Sequence, residues 1–201
     1  MAQSLRIAVF TSHGGSNLQS LIDACAAGRI DGQIVLVISN NRKSYALERA
    51  RQAGIEALHL TEKKFDSAEA FAKALVNKLT KYQIDLICLA GYMKFLPPMV
   101  LQYVRGRVIN IHPALLPRYG GKGMYGLRVH EAVLAAGDTE TGVTIHQVDE
   151  IYDHGTILAQ RKVSVLPDDT PETLQQRVLQ VEHELYPEAV AQIASGAIKL
   201  E

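Results

Sequence analysis

No charge of one sign dominates this chain. Lys plus Arg number 21 and Asp plus Glu 21 in 201 residues, so the formal net charge is zero. A protein whose main task is to grip nucleic acid or an anionic membrane carries a basic excess, and the balance argues against that class; a local anion site stays open. Cysteine is scarce. Cys25 and Cys88 stand far apart in apolar surroundings. They build neither a disulfide framework nor a metal knuckle, and read as buried free thiols of a reducing compartment. No apolar run approaches the ~20 residues that span a membrane. Residues 1–6 lead straight into a strand, without the basic and long apolar regions of a signal peptide. The expected location is the cytoplasm. Also missing are G-x-G-x-x-G, the P-loop G-x-x-x-x-G-K-[ST], the G-x-S-x-G elbow and H-E-x-x-H, so nicotinamide dinucleotides, ATP, a serine nucleophile and catalytic zinc are not indicated. No repeat, low-complexity tract or linker divides the chain, so 1–201 reads as one domain.

What is present is an ordinary globular balance, with 47% apolar and 21% charged residues, in a chain long enough to bury roughly 70% of its unfolded surface. Short apolar runs at 5–10, 33–39, 57–60, 84–90 and 108–112 read as buried strands. Between them lie helical spacings at 18–25, 45–53 (stopped by Gly54), 68–82 (capped by Asp66 or Ser67) and 99–104, with 61–65 as a loop. Alternating strands and helices predict a doubly wound, mostly parallel, Rossmann-like α/β sheet in three layers. A helix follows at 127–136. Residues 142–148 alternate like a half-buried strand, and 157–165 returns beside it, adding an antiparallel C-terminal edge. Thr170 and Pro171 open the last helix; it is expected to stop at Pro187, with a second helical piece reaching about 194.

The chemistry centres on Asn110-Ile111-His112-Pro113. Side chains two apart on a strand share a face, so Asn110 and His112 point the same way, and Pro113 limits continuation of the strand. Two polar groups thus stand at the C-terminal end of a buried strand, the end that faces the ligand crevice in open α/β sheets. A satisfied core histidine and a turn asparagine are the plain alternative; the pairing at a strand end favours function. At 11–17, Thr-Ser-His-Gly-Gly-Ser-Asn joins strand to helix. Ser16 or Asn17 can cap that helix, and its N–H groups can take a single phosphate; a plain tight turn is the equal alternative. No activated nucleophile is in view, since neither cysteine sits beside a polar group. An Asn donor, a His and a carboxylate suit direct attack on a carbonyl carbon, with Asn and His⁺ steadying the oxyanion and the carboxylate supporting the His. Spacing alone does not choose between Asp149 and Asp153. His130 and His146 read as structural.

Five stretches carry a resemblance over nearly the whole chain: Gly15-Ser16-Asn17-Leu18-Gln19, Leu89-Ala90-Gly91-Tyr92-Met93, Asn110 through Pro117, Asp153-His154-Gly155-Thr156-Ile157-Leu158, and Glu182-His183 with Tyr186-Pro187. The chain resembles the glycinamide ribonucleotide formyltransferase family of folate-dependent formyltransferases. The resemblance implies that Asn110, His112 and Asp153 are the catalytic trio. It implies that Gly15, Ser16 and Asn17 hold the substrate phosphate and Glu182 its ribose. Met93, Lys94, Phe95 and Leu96, with Asn110, Asp149, Ile151 and Asp153, would bind the folate. It further implies direct transfer from 10-formyltetrahydrofolate to the amine of glycinamide ribonucleotide, with no covalent enzyme intermediate and no metal, by a monomer or homodimer that takes small molecules rather than nucleic acid or membrane.

Three departures stand out. His13 occupies the family's first glycine in the phosphate turn. The glycine loop 119–126 is longer than in many members. Ala68 stands where the family often has a basic residue for the folate tail, and Lys63 or Lys64 are the candidate substitutes. A formyltetrahydrofolate deformylase would normally add an N-terminal regulatory domain, and a methionyl-tRNA formyltransferase an RNA-binding domain with a basic surface. A non-catalytic nucleotide or folate-binding module would need no Asn-His-Asp trio.

Overall fold

The computed structural model describes residues 4–200; residues 1–3, on which part of the signal-peptide reading falls, and 201 lie outside the described residues. Strands β1 (Leu5–Thr11), β2 (Gly32–Ser39), β3 (Glu56–His59), β4 (Leu86–Leu89), β5 (Val108–His112), β6 (Glu140–Gln147) and β7 (Ile157–Ser164) form one sheet in the order β3-β2-β1-β4-β5-β6-β7. The first five are parallel; β6 runs antiparallel to β5, and β7 antiparallel to β6. This is the mixed, mostly parallel α/β sheet that the alternating pattern predicts.

The period of two along β1 shows why the sheet is covered on both faces. Ile7 and Val9 join a core cluster containing Leu18 and Leu21 of α1 (Ser16–Ala26), Leu47 of α2 (Tyr45–Gln52), Val133 of α5 (Leu127–Ala135), and Leu174 and Val178 of α6 (Pro171–Ala194). Ala8 and Phe10 face the other way, onto Phe71, Leu75 and Leu79 of α3 (Ala68–Lys81) and Val100 of α4 (Pro98–Val104). A strand buried on both faces reads as a continuous apolar run, and that is what Ile7-Ala8-Val9-Phe10 is.

Four local expectations are corrected. β6 is buried along nearly its whole length instead of half-buried. β7 covers its outer edge, α6 one face, and the chain at 114–116 the other. Its polar positions are satisfied rather than wet: Thr144 Oγ1 donates to the Ala114 carbonyl at 2.6 Å and accepts from Leu116 N at 3.1 Å. α6 is one helix through Pro187, because Leu185, Tyr186, Ala189 and Val190 on either side are buried; packing outweighs the ~3 kcal/mol an interior proline costs. Its start matches expectation, with Thr170 and Thr173 in a reciprocal capping box. Residues Glu62–Lys64 form a 3-10 turn where a loop was expected, and of the two cap candidates Ser67 caps α3 by accepting from Ala70 N. Neither Ser16 nor Asn17 caps α1: its N-cap is Gly15, at φ 73°, with no side-chain cap.

The sheet order sets the site. The chain moves outward from β1 to β2 and β3, then crosses back to lay β4 against the other edge of β1. The loops after β1 and β4 therefore leave in opposite directions and open a crevice at their C-terminal ends.

Candidate active site

The crevice is a cleft of about 990 Å³. Its floor is tied together at the switch point. Ser12 N donates to the Gly91 carbonyl at 3.1 Å, and Met93 N to Ser12 Oγ at 2.8 Å, so the loops after β1 and β4 hold each other. Asn110 and His112 project from β5 into this cleft, as their shared strand face requires.

His112 is 4% exposed. Its Nε2 lies 2.7 Å from the Tyr119 carbonyl, and since a carbonyl only accepts, that nitrogen carries a hydrogen. Its Nδ1 is left facing Asp153 Oδ2 at 3.6 Å. Asp153, at φ 53° in the turn after β6, also accepts from Gly121 N at 2.9 Å. Asn110 Nδ2 stands 3.5 Å from Asp153 Oδ1 and 3.1 Å from His146 Nε2. Burial pushes the His112 pKa down; the Asp153 charge and the Tyr119 carbonyl oppose this without reversing it, so neutral imidazole is favoured. For Asp153 burial works upward, but His146, His112 and the Gly121 N–H outweigh it, and the carboxyl sits below its ordinary value.

This geometry chooses between the two aspartates. Asp149 Oδ2 pairs with His154 Nδ1 at 2.9 Å and its Oδ1 accepts from Ile151 N at 2.7 Å, which closes its own turn. Asp153 is the carboxylate beside His112. It reaches there because Gly155 brings the turn against β6: a Cβ at 155 would lie 1.9 Å from the Gln147 carbonyl oxygen. His146, read from sequence as structural, is in the cluster, with Nε2 3.6 Å from Asp153 Oδ1. It stands opposite Asn110 across the antiparallel β5–β6 ladder. The signal for it was the alternation in β6, which puts His146 on the face of Thr144; only the register showed what that face meets.

At the other end of the cleft, Gly14, Gly15 and Ser16 line the uncapped N-terminus of α1. Gly15 is required there, because a Cβ would meet Ala46 Cβ at 2.5 Å in a left-handed backbone. Arg49 joins this end, its Nε donating to the Gly14 carbonyl at 2.9 Å. Asn17 Nδ2 donates to Glu182 Oε2 of α6. Glu182 is 8% exposed, and burial pushes its carboxyl up to about 7, against the pull of Asn17. Asn17 Oδ1 is buried with no partner among the described residues.

The third wall is apolar. Met93, Phe95 and Ile151 are exposed, and Phe95 meets Tyr152 edge-on at 4.8 Å, which joins the 93–96 and 149–153 loops. Lys94 lines the cleft; Leu96 lines it too while packing into the core. Lys63 and Lys64 are not among the lining residues, and Lys64 Nζ sits on His59 Nδ1 at 3.0 Å. His13 lines the cleft as an exposed side chain.

An uncapped helix terminus, an Asn-His-Asp cluster and an apolar wall thus meet in one crevice at the C-terminal ends of the parallel strands. A formyl transferase family model matches residues 5–190, and the chain belongs to that family. Within it the chain groups with the phosphoribosylglycinamide formyltransferases. It is 45% identical over 96% of its length to the chloroplastic phosphoribosylglycinamide formyltransferase of Arabidopsis thaliana, of which it spans 67%. It is 39% identical to phosphoribosylglycinamide formyltransferase of Escherichia coli, covering 98% of this chain and 90% of that one. It spans 14% of a trifunctional purine biosynthetic protein of Drosophila pseudoobscura at 45% identity. Among solved structures, glycinamide ribonucleotide transformylase 1 of Symbiobacterium toebii superposes with a TM-score of 0.93 at 41% identity, covering 100% of this chain and 92% of that chain. A formyltetrahydrofolate deformylase of Pseudomonas syringae is more distant in sequence, at 26% identity with a TM-score of 0.87 over 64% of its chain.

Proposed function

We propose that this protein transfers the formyl group of 10-formyltetrahydrofolate to the amine of glycinamide ribonucleotide, in purine biosynthesis. The observation that carries this is the convergence of Asn110, His112 and Asp153 in the same cleft as the uncapped α1 terminus. The residues fit the co-substrate: Met93, Phe95 and Ile151 offer exposed apolar surface for a flat ring, and Lys94 a cation. When bound, the folate supplies the formyl carbon that the amine attacks.

The chain's own groups divide the work. Gly15, Ser16 and Asn17 hold the phosphate at the helix terminus, and Glu182 contacts the ribose. Met93, Lys94, Phe95, Leu96, Asp149 and Ile151 line the folate side. Asn110 Nδ2 donates to the formyl oxygen as its charge develops. His112 starts neutral with its hydrogen on Nε2, so Nδ1 is the atom that accepts the amine's proton; Asp153 then faces an imidazolium and stabilises it. The proton goes on to the folate nitrogen as its bond to the formyl carbon breaks. The His⁺ that steadies the oxyanion in the sequence reading arises here when Nδ1 takes the amine's proton. Cytoplasmic location, one domain over 1–201, small-molecule partners only, and a monomer or homodimer belong to the same reading; the balanced charge fits small-molecule partners, and no helix among the described residues is long and apolar enough to cross a membrane.

The test is a formyl-transfer assay with both small molecules and a control without the amine. Transfer that needs glycinamide ribonucleotide supports the reading. Release of formate at the same rate without the amine would instead identify a deformylase.

A further inference from the structure

His112 and Asp153 are both gripped by one short segment of the glycine loop. The Tyr119 carbonyl accepts from His112 Nε2 at 2.7 Å, and Gly121 N donates to Asp153 Oδ2 at 2.9 Å. Gly120 between them has no room for a side chain: a Cβ would meet Leu116 Cδ2 at 2.5 Å and Asp153 Cβ at 3.1 Å. Tyr119 itself sits at φ 56°, a left-handed conformation that a non-glycine residue adopts only when its surroundings impose it. Two contacts outside the cleft hold Tyr119: its ring packs on the core around α6, and its hydroxyl is tied to the turn before β6. Tyr119 Oη donates to Asp138 Oδ2 at 2.6 Å. Arg118 completes the arrangement: its Nη2 donates to Asp138 Oδ1 and to Tyr119 Oη, each at 3.0 Å, and its guanidinium covers the tyrosine ring at 5.1 Å. Asp138 lies in the turn between α5 and β6, on the wall of a separate small cavity of about 170 Å³.

We propose that Tyr119 and Asp138 are positioning residues: the hydroxyl–carboxylate bond latches residues 119–121 so that the Tyr119 carbonyl keeps the hydrogen of His112 on Nε2 and leaves Nδ1 free to accept the proton. This rests on the reading of His112 as the proton acceptor. A carbonyl that stays in place makes the Nε2–H tautomer the favoured one; a carbonyl that drifts lets the hydrogen move to Nδ1, where it blocks proton acceptance. The groups that bear on the titration of His112 are Asp153 in the turn after β6, His146 of β6, His130 of α5 and the Tyr119 carbonyl itself. Arg118 is largely solvent-exposed, so its ion pair is a minor part of the latch.

The test pairs kinetics with nitrogen NMR of the histidine ring on the full chain. Tyr119→Phe removes the hydroxyl and Asp138→Ala its acceptor. Each should lower kcat about tenfold, short of the about 10²-fold that a 1 Å misplacement can cost, leave KM for glycinamide ribonucleotide unchanged, and move the His112 inflection of the pH–rate profile. The ring nitrogens should show a growing Nδ1–H fraction. The double variant should be no worse than either single one, and Asp138→Asn, which keeps an oxygen acceptor, should restore most of the rate. Wild-type kcat with an unchanged Nε2–H tautomer in both single variants overturns the proposal, as does a lowered melting temperature with tautomer and pH profile unmoved. If Tyr119→Phe does not fold, Asp138→Ala and Asp138→Asn decide by the same readouts. A shifted tautomer in a chain whose His112→Ala variant turns over normally would refute the role of His112 while leaving the latch standing.

Discussion

Replacing Glu182 by Gln should make the protein more stable at alkaline pH and leave it nearly unchanged at acid pH. The side chain is buried against Asn17 on α1, and its carboxyl titrates at about 7 instead of 4.5, chiefly through burial. The folded pKa lies above the unfolded one, so the folded chain holds the proton more tightly. Stability from this group is therefore greatest below the unfolded value, falls as pH rises through the window between 4.5 and about 7, and is flat above it. At one pKa unit per ~1.4 kcal/mol, ionising the buried carboxyl costs about 3 kcal/mol at alkaline pH. The amide carries no charge at any pH, can still accept from Asn17 Nδ2, and has an N–H to offer the unpartnered Asn17 Oδ1. The stability gap between Glu182→Gln and wild type should thus widen by about 2–3 kcal/mol from about pH 5 to about pH 8.5. At roughly 2–4 °C per kcal/mol for a chain of this size, that is a relative gain of roughly 5–10 °C in melting temperature. Thermal unfolding of both proteins by circular dichroism at the two pH values measures it. A gap that does not change with pH would refute the assignment of a raised Glu182 pKa. A raised KM for glycinamide ribonucleotide in the same variant is the expected companion, because a group held in a strained state at a binding site trades stability for function.

His112→Ala should lower turnover by about 10²–10³ while ribonucleotide binding, measured calorimetrically, stays close to wild type; near-normal turnover would remove His112 from the mechanism. Asp153→Asn takes away the charge that opposes the downward push on His112, so the acid-side inflection of the pH–rate profile should move to lower pH and the rate should fall. An unmoved profile would separate Asp153 from the titration of His112. Ser16→Asp places a negative charge at the α1 terminus and should weaken ribonucleotide binding while sparing folate binding. Equal loss of both ligands would mean that the turn had lost its shape instead.

Much of the site was legible in the chain because its parts are local. Asn110 and His112 share a strand face by the period of two, and Pro113 marks where that strand gives way to a loop. Gly15-Ser16-Asn17 between an apolar run and a helical spacing marks a βα turn. Continuous apolar runs alternating with helices determine a parallel sheet, since only strands covered on both faces read that way. Even so, the α1 cap was misplaced: Gly15, left-handed and wedged against Ala46, takes the N-cap position, and no side chain occupies the helix N–H groups.

What the tertiary structure decided are relations between distant segments. The choice of Asp153 over Asp149 depends on Gly155 packing against Gln147 and on Asp149 being occupied by His154. The place of His146 depends on an antiparallel register that sets it opposite Asn110, and an alternation read as half solvated turns out to face a covering loop. Pro187 looked like a helix end by local rules, yet buried neighbours on both sides carry α6 through it. The protonation states of His112 and Glu182 were beyond the sequence altogether. A pKa depends on what surrounds a group once water is gone: burial drives both shifts, and Tyr119, Asp153 and Asn17, which oppose them, are residues that only the folded chain brings near.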